Sequence, residues 1–122
     1  MTHRSRRLLL AVGAIVCAGT LGILAQPKGE KVTLKGELVD MWCYMEAGDR
    51  GPAKKACATA CAKAGNPIAL VDTEGNLYLT AGLESHQPAR DLLVGKMNEQ
   101  VTLTGTLVKK YGVQMLYVDA LK

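Results

Sequence analysis

The sequence has very few aromatic residues: no phenylalanine, one tryptophan and four tyrosines among 122 residues. A core therefore has to be assembled from Leu, Val, Ile, Met and Ala, and a small core of this kind benefits from reinforcement by a disulfide or a metal ion. The scarcity of aromatic side chains also removes the stacking platforms on which single-stranded nucleic acids bind.

Net charge is also small once the N-terminal segment is set aside. The chain has 15 Lys and Arg against 11 Asp and Glu, and three of the basic residues are Arg4, Arg6 and Arg7. Without these three, 12 basic residues face 11 acidic ones. Phosphate binding depends on clustered Lys and Arg, so a nucleic-acid partner is not expected.

Several catalytic and cofactor motifs are missing. The sequence has no C-x-x-C or C-x-x-C-H motif, no Gly-rich phosphate loop and no legible Ser, His and Asp arrangement. These absences weaken thiol-redox and covalent haem interpretations and favour a binding protein over an enzyme.

The N-terminal segment has the features of an export signal. Its arginines precede the apolar run "LLLAVGAIVCAGTLGILA", which ends with the small residue Ala25. This pattern predicts a signal peptide over residues 1–25 and a periplasmic or extracellular location. An uncleaved anchor in the inner membrane is the alternative. "SRRLLL" also resembles a twin-arginine signal, so the export route stays open.

Some 97 residues remain after the signal, enough for one small domain. We assign residues 26–30 to a linker and 31–122 to the domain. The clearest pattern is a near repeat, "VTLKGELV" at 32–39 and "VTLTGTLV" at 101–108, and both copies alternate as strands do. Gly36 and Gly105 interrupt the inward-facing positions, where a coiled barrel strand bends or takes a bulge.

Further strand patterns complete a small barrel. Strands are predicted at about 31–44, 68–72, 76–81, 100–109 and 113–120, and "QPARDLLVGK" predicts a short helix between the third and fourth. Three strands, a helix and two strands is the order of an OB-fold. The predicted fold is thus mainly β, a five-stranded OB-like Greek-key barrel with a cysteine-bearing helix inserted after the first strand.

Two passages carry resemblances to known proteins. From Lys31 to Lys122 the chain resembles small exported bacterial OB-fold proteins, and "LVGKMNEQVTLTGTLV" is similar to their passage from helix to fourth strand. "WCY" followed by "CATACAKAGNP" resembles uncharacterised exported proteins with a Cys-Tyr, C-x3-C, Gly-x-Pro pattern. The first resemblance implies a barrel, and neither implies a reaction.

The cysteines lie around an insertion at about 45–66. A helix is predicted from Pro52 to Ala64, and Cys57 and Cys61 share one face of it with several alanines, a face that we expect to pack on the barrel. Cys43 lies in "MWCYM". If that stretch is extended, Cys43 points to the same side as its two methionine neighbours.

Three uses of these cysteines remain open. Thiolates from Cys43, Cys57 and Cys61, completed by His86, would suit zinc or cuprous copper. Alternatively, Cys43 forms a structural disulfide with Cys57 or Cys61, and the domain binds a protein partner. Thiol-redox chemistry or a haem-type cofactor is the third use.

Two methionines are weaker candidate ligands, because Met41 and Met45 are more typical of core filling than of metal binding. The favoured prediction is an exported protein that binds or delivers a copper or zinc ion through three cysteines. Its partner would be the ion itself or another protein.

Overall fold

The computed structural model describes residues 26–122, so the predicted signal peptide lies outside the described residues. The described part contains five strands and three helices, with 3-10 turns at Pro52–Lys54 and Val94–Lys96. In chain order the elements are β1 (Glu30–Asp40), α1 (Met41–Ala47), α2 (Lys55–Ala64), β2 (Ile68–Val71), β3 (Leu77–Gly82), α3 (Arg90–Leu93), β4 (Gln100–Lys110) and β5 (Val113–Leu121). The prediction of a mainly β protein is confirmed.

The five strands form a closed barrel in the order β1-β2-β3-β5-β4, with β4 returning to β1. Neighbouring strands are antiparallel except β3 and β5, which run parallel. β1 pairs with β4 from Glu30 to Glu37 and with β2 from Glu37 to Asp40. The first strand therefore changes its pairing from β4 to β2 at Glu37, and α1 begins directly after its last residue.

Both repeat glycines lie where the backbone is crowded. A Cβ at Gly36 would stand 2.4 Å from the carbonyl oxygen of Val71, and one at Gly105 would stand 2.2 Å from that of Tyr117. The pairing of β4 with β5 shifts register between Thr104 and Gly105. The predicted irregularity is therefore confirmed at Gly105, and Gly36 permits close approach of two strands.

The barrel interior is mainly aliphatic, as the lack of phenylalanine predicted, although Tyr78 is also buried in it. Helices close the interior: Leu93 of α3 and Ala58 and Ala62 of α2 are buried with the strand residues. The largest fully buried apolar side chains are Leu38, Leu70, Leu93, Met97, Leu103 and Leu116. Within residues 26–122, no helix has both the length and the apolar character that crossing a bilayer requires.

The predicted end of the first strand is wrong. β1 ends at Asp40, and "MWCYM" forms the start of α1 instead of an extended segment. Asp40 caps this helix by accepting a hydrogen bond from the backbone N–H of Cys43, and Gly48 ends it with a left-handed φ of 68°. The insertion thus begins at Met41, not near residue 45.

The predicted packing face of the inserted helix is also wrong. The side chains of α2 that are buried against the barrel are Ala58 and Ala62, whereas Cys57 is exposed and Cys61 is half-buried. The helix carries alanines on several sides, so apolar spacing alone could not distinguish its faces. The two cysteines consequently lie beside the barrel contact and not within it.

Candidate metal centre

The three cysteines of residues 26–122 converge at the junction of α1 and α2. Cys43 lies in the first turn of α1, and Cys57 and Cys61 lie one turn apart on α2. The Sγ atom of Cys43 is 4.0 Å from that of Cys57 and 4.0 Å from that of Cys61. All three sulfurs lie within 4.8 Å of one another, and all three cysteines are free.

Buried polar side chains fix the loop that turns α1 back towards α2. Glu37 of β1 is 7% exposed, and its carboxylate accepts hydrogen bonds from the backbone N–H of Gly51 and from Nε of Arg50. Asn98 donates its side-chain amide to the carbonyl of Gly51 at 3.2 Å. Both sides of Gly51 are therefore anchored to the barrel, which sets where α2 starts.

α2 is held by packing and by an ion pair. Ala58 and Ala62 join the main core cluster, and Lys55 at the start of the helix pairs with Glu99 just ahead of β4. Alanine side chains allow the helix backbone to lie close to the barrel. That close approach brings Cys57 and Cys61 near Cys43 in the first turn of α1.

Asp40 is the residue of this region that the sequence analysis did not identify. Its side chain is 1% exposed; Oδ2 accepts from the N–H of Cys43 at 2.8 Å, and Oδ1 has no hydrogen-bond partner among the described residues. A signal for it was present, because Asp40 and Gly48 bracket seven residues as an N-cap and a C-terminal glycine do. The aromatic and alternating character of "MWCYM" had favoured a strand instead.

The surroundings of Cys43 oppose ionisation of its thiol. The neighbouring Asp40 carboxylate, then burial, then hydrogen bonds with Cys57 and Cys61 raise the pKa of Cys43 to about 12. Burial is also the main reason that the pKa of Cys61 is raised. Because these two pKa values are raised, both thiols keep their protons at neutral pH, and an incoming metal ion has to displace those protons.

The spacing of the sulfurs suits a single ion. With a metal–sulfur distance of about 2.3 Å, sulfurs around one ion stand about 3.8 Å apart in a tetrahedron and about 4.0 Å apart in a trigonal plane. Both values agree with the 4.0 Å separations from Cys43. Because Cys57 is exposed, one side of the cluster is open to solvent.

His86 does not belong to this cluster, although we had named it as a candidate ligand. It lies in the loop between β3 and α3 with a left-handed φ of 67°. Its side chain is exposed and lines a surface hollow of about 420 Å³ with Pro27 and Tyr117. The structure thus brings together the three cysteines and leaves the histidine in a different group of residues.

The two candidate methionines are also placed differently from each other. Met41 is half-buried and packs against the small core cluster around Val39, whereas Met45 is 68% exposed. Trp42 is 70% exposed and lines an open hollow of about 410 Å³ together with both methionines. Met45 therefore does not fill the core, contrary to the sequence interpretation.

Compared with known proteins, the chain matches no family model, no curated protein and no solved structure.

Proposed function

We propose that this protein binds one thiophilic metal ion, zinc or cuprous copper, through Cys43, Cys57 and Cys61, and that it serves in metal binding or delivery rather than catalysis. One observation carries the proposal: three sulfurs from two helices stand within 4.8 Å of one another. Thiolates are the ligands that both ions prefer in sites of this kind.

The shape of the site supports delivery. Three protein ligands leave a coordination position free, and the exposed Cys57 lies on the solvent side of the cluster. A ligand from an acceptor protein can therefore coordinate the ion before the ion dissociates from the cysteines. The N-terminal pattern of residues 1–25 supports an exported location, so we place this role outside the cytoplasm.

We assign the barrel to the OB class. The order β1-β2-β3-β5-β4, the parallel β3 and β5 pair and the helix between β3 and β4 support this assignment. The cysteines all lie on the connection between β1 and β2, and OB-folds commonly bind their ligands with that connection. No particular activity follows from the barrel itself.

The second candidate function is a partner-binding module in which one disulfide fastens the insertion. The observation that favours it is the exposure of Trp42 and Met45, two large apolar side chains on the helix that carries Cys43. In this case one pair of cysteines is oxidised and the third thiol has no function.

Intact mass measured under native and denaturing conditions, with thiol alkylation, separates the two candidates. The sample is protein from its natural compartment with no added metal or reductant. Three alkylatable thiols and the added mass of an ion in the native spectrum support the metal site. One alkylatable thiol, a mass two hydrogens lower and no ion support the disulfide instead.

Variants make the same test residue by residue. Cys43→Ser, Cys57→Ser and Cys61→Ser should each weaken zinc binding at least about tenfold, because each removes one thiolate. His86→Ala is the matched control and should leave the affinity unchanged. Equal affinity in all four variants would overturn the three-cysteine site.

A further inference from the structure

A buried carboxylate without a positively charged partner stands next to the cysteine cluster. Asp40 is among the most completely buried side chains of the described chain, and none of the ion pairs within residues 26–122 includes it. Its Oδ1 atom has no hydrogen-bond partner in the described part of the chain either. A buried charge is costly unless a partner compensates it, so this carboxylate requires an explanation.

Capping of α1 accounts for one carboxylate oxygen of Asp40, Oδ2, but not for the other, Oδ1. Oδ2 accepts from the N–H of Cys43, which is the usual task of a helix N-cap. Asparagine and serine perform this task equally well without a charge. What the carboxylate adds over these residues is a negative charge beside the Cys43 thiol.

We infer that Asp40 makes the cysteine site selective for a divalent ion, zinc, over the monovalent cuprous ion. The inference rests on the proposed metal-binding function and specifies its ion. Three thiolates and one carboxylate carry four negative charges. With a divalent ion the loaded site has a net charge of −2. With a cuprous ion the net charge is −3, in a site that is partly buried. Asp40 attracts the ion in proportion to the ion's charge, so it favours zinc.

A basic side chain near the cysteines, Lys54, does not remove this argument. Its ion pair with Asp49, at 2.9 Å, is the main reason that the pKa of Lys54 is raised, and Cys57 and Cys43 add only a smaller effect. Lys54 is also half exposed and therefore well solvated. Lys54 is therefore already paired and does not supply an ion pair to Asp40.

Competition titrations with Zn²⁺ and, under anaerobic reducing conditions, with Cu⁺ test the inference on the full chain. Asp40→Asn retains an N-cap acceptor and removes the charge. We expect it to lower zinc affinity more than cuprous affinity, so that the ratio of the two association constants falls about tenfold, which corresponds to roughly 1.4 kcal/mol. Asp40→Ser, a second neutral N-cap, should behave in the same way and serves if the asparagine variant folds poorly.

Glu37→Gln is the matched control, because it neutralises another buried carboxylate of β1 whose hydrogen bonds go to the backbone of Gly51 and to Arg50. In this variant the ratio of the zinc association constant to the cuprous association constant should equal that of the unmodified protein. An unchanged ratio in both Asp40 variants, with metal still bound, overturns the selectivity while leaving the metal site intact. Failure of the unmodified protein to bind either ion overturns the proposed function and the inference with it.

Discussion

The carboxylate of Glu37 accepts a hydrogen bond from the backbone N–H of Gly51 at 2.5 Å, across 14 residues of chain. This bond ties the loop between α1 and α2 to the middle of β1. Together with the contacts of Asn98 and Lys55, it keeps the helix carrying Cys57 and Cys61 near the helix carrying Cys43. The geometry of the site therefore depends on a residue that contributes no ligand.

Replacing Glu37 by alanine should loosen this loop. Glu37→Ala leaves the N–H of Gly51 and the guanidinium of Arg50 without their acceptor, which should lower the free energy of unfolding by about 1–3 kcal/mol. The affinities for Zn²⁺ and Cu⁺ should fall together, because the distances between all ligands change. Urea unfolding and metal titration measure both effects. Glu37→Gln keeps a hydrogen-bond acceptor, so its free energy of unfolding and its metal affinities should fall less than those of Glu37→Ala.

The exposures and pKa values of the cysteines predict the order in which they react. In metal-free, reduced protein at pH 8, iodoacetamide should modify exposed Cys57 first and Cys43 last, because the raised pKa of Cys43 keeps it as the unreactive thiol. Asp40→Asn should speed the reaction of Cys43, since the Asp40 carboxylate is the largest cause of that raised pKa. Timed alkylation followed by peptide mass analysis gives the order. Fastest labelling of Cys43 in the unmodified protein would contradict it.

The same pKa shift predicts how stability depends on pH. The pKa of Cys43 rises from 9.0 to about 12 on folding, so between these values the folded protein binds its thiol proton more tightly than the unfolded chain does. The contribution to stability is complete below pH 9.0 and is lost as pH rises towards 12. Urea midpoints of the metal-free, reduced protein should therefore fall with rising pH above 9. Cys43→Ser should show a smaller fall, and equal slopes would disprove the assignment.

The barrel could largely be predicted from the sequence because its signals are local. The two copies of the Val-Thr-Leu-x-Gly pattern alternate as strands, and each has a glycine where two backbones meet. β1 and β4 start and stop within a residue or two of the predicted positions, except at the end of β1. That error arose because Trp42 and Tyr44 favour strands, whereas the helix is set by the cap at Asp40 and by Gly48.

The sequence identified the cysteines of the site, but the arrangement of their side chains around the barrel could not be predicted from it. The spacing of Cys57 and Cys61 correctly implied one helix and one turn of separation. The face that they occupy depends on packing against the barrel, which alanine-rich spacing does not encode. The unpaired oxygen of Asp40 results from burial, so only a three-dimensional structure could reveal it.

The repeat glycines make a prediction about the barrel that is independent of metal. Gly36→Ala should destabilise the protein by about 1–3 kcal/mol, because the added Cβ would lie 2.4 Å from the carbonyl oxygen of Val71 and the strands would have to separate. Gly95→Ala is the control, because a Cβ at this position would meet no other atom of residues 26–122 within 4 Å beyond its chain neighbours. It should be neutral or slightly stabilising in urea unfolding. Equal stability of the two variants would contradict the close strand approach at Gly36.

The face of α2 that packs on the barrel can be tested by substitution. The structure buries the face with Ala58 and Ala62, whereas the alanine spacing predicted burial of the face with Cys57 and Cys61. Ala62 is fully buried, and Ala60 on the same helix is exposed. Ala62→Leu should force α2 away from the barrel, lower the free energy of unfolding by about 1–3 kcal/mol and weaken Zn²⁺ binding, because Cys57 and Cys61 move with the helix. Ala60→Leu should change stability by less than about 0.5 kcal/mol and leave binding intact. If the two variants exchanged these effects, the cysteine face would be the one that packs on the barrel, and the sulfurs would be too enclosed to exchange an ion with a partner.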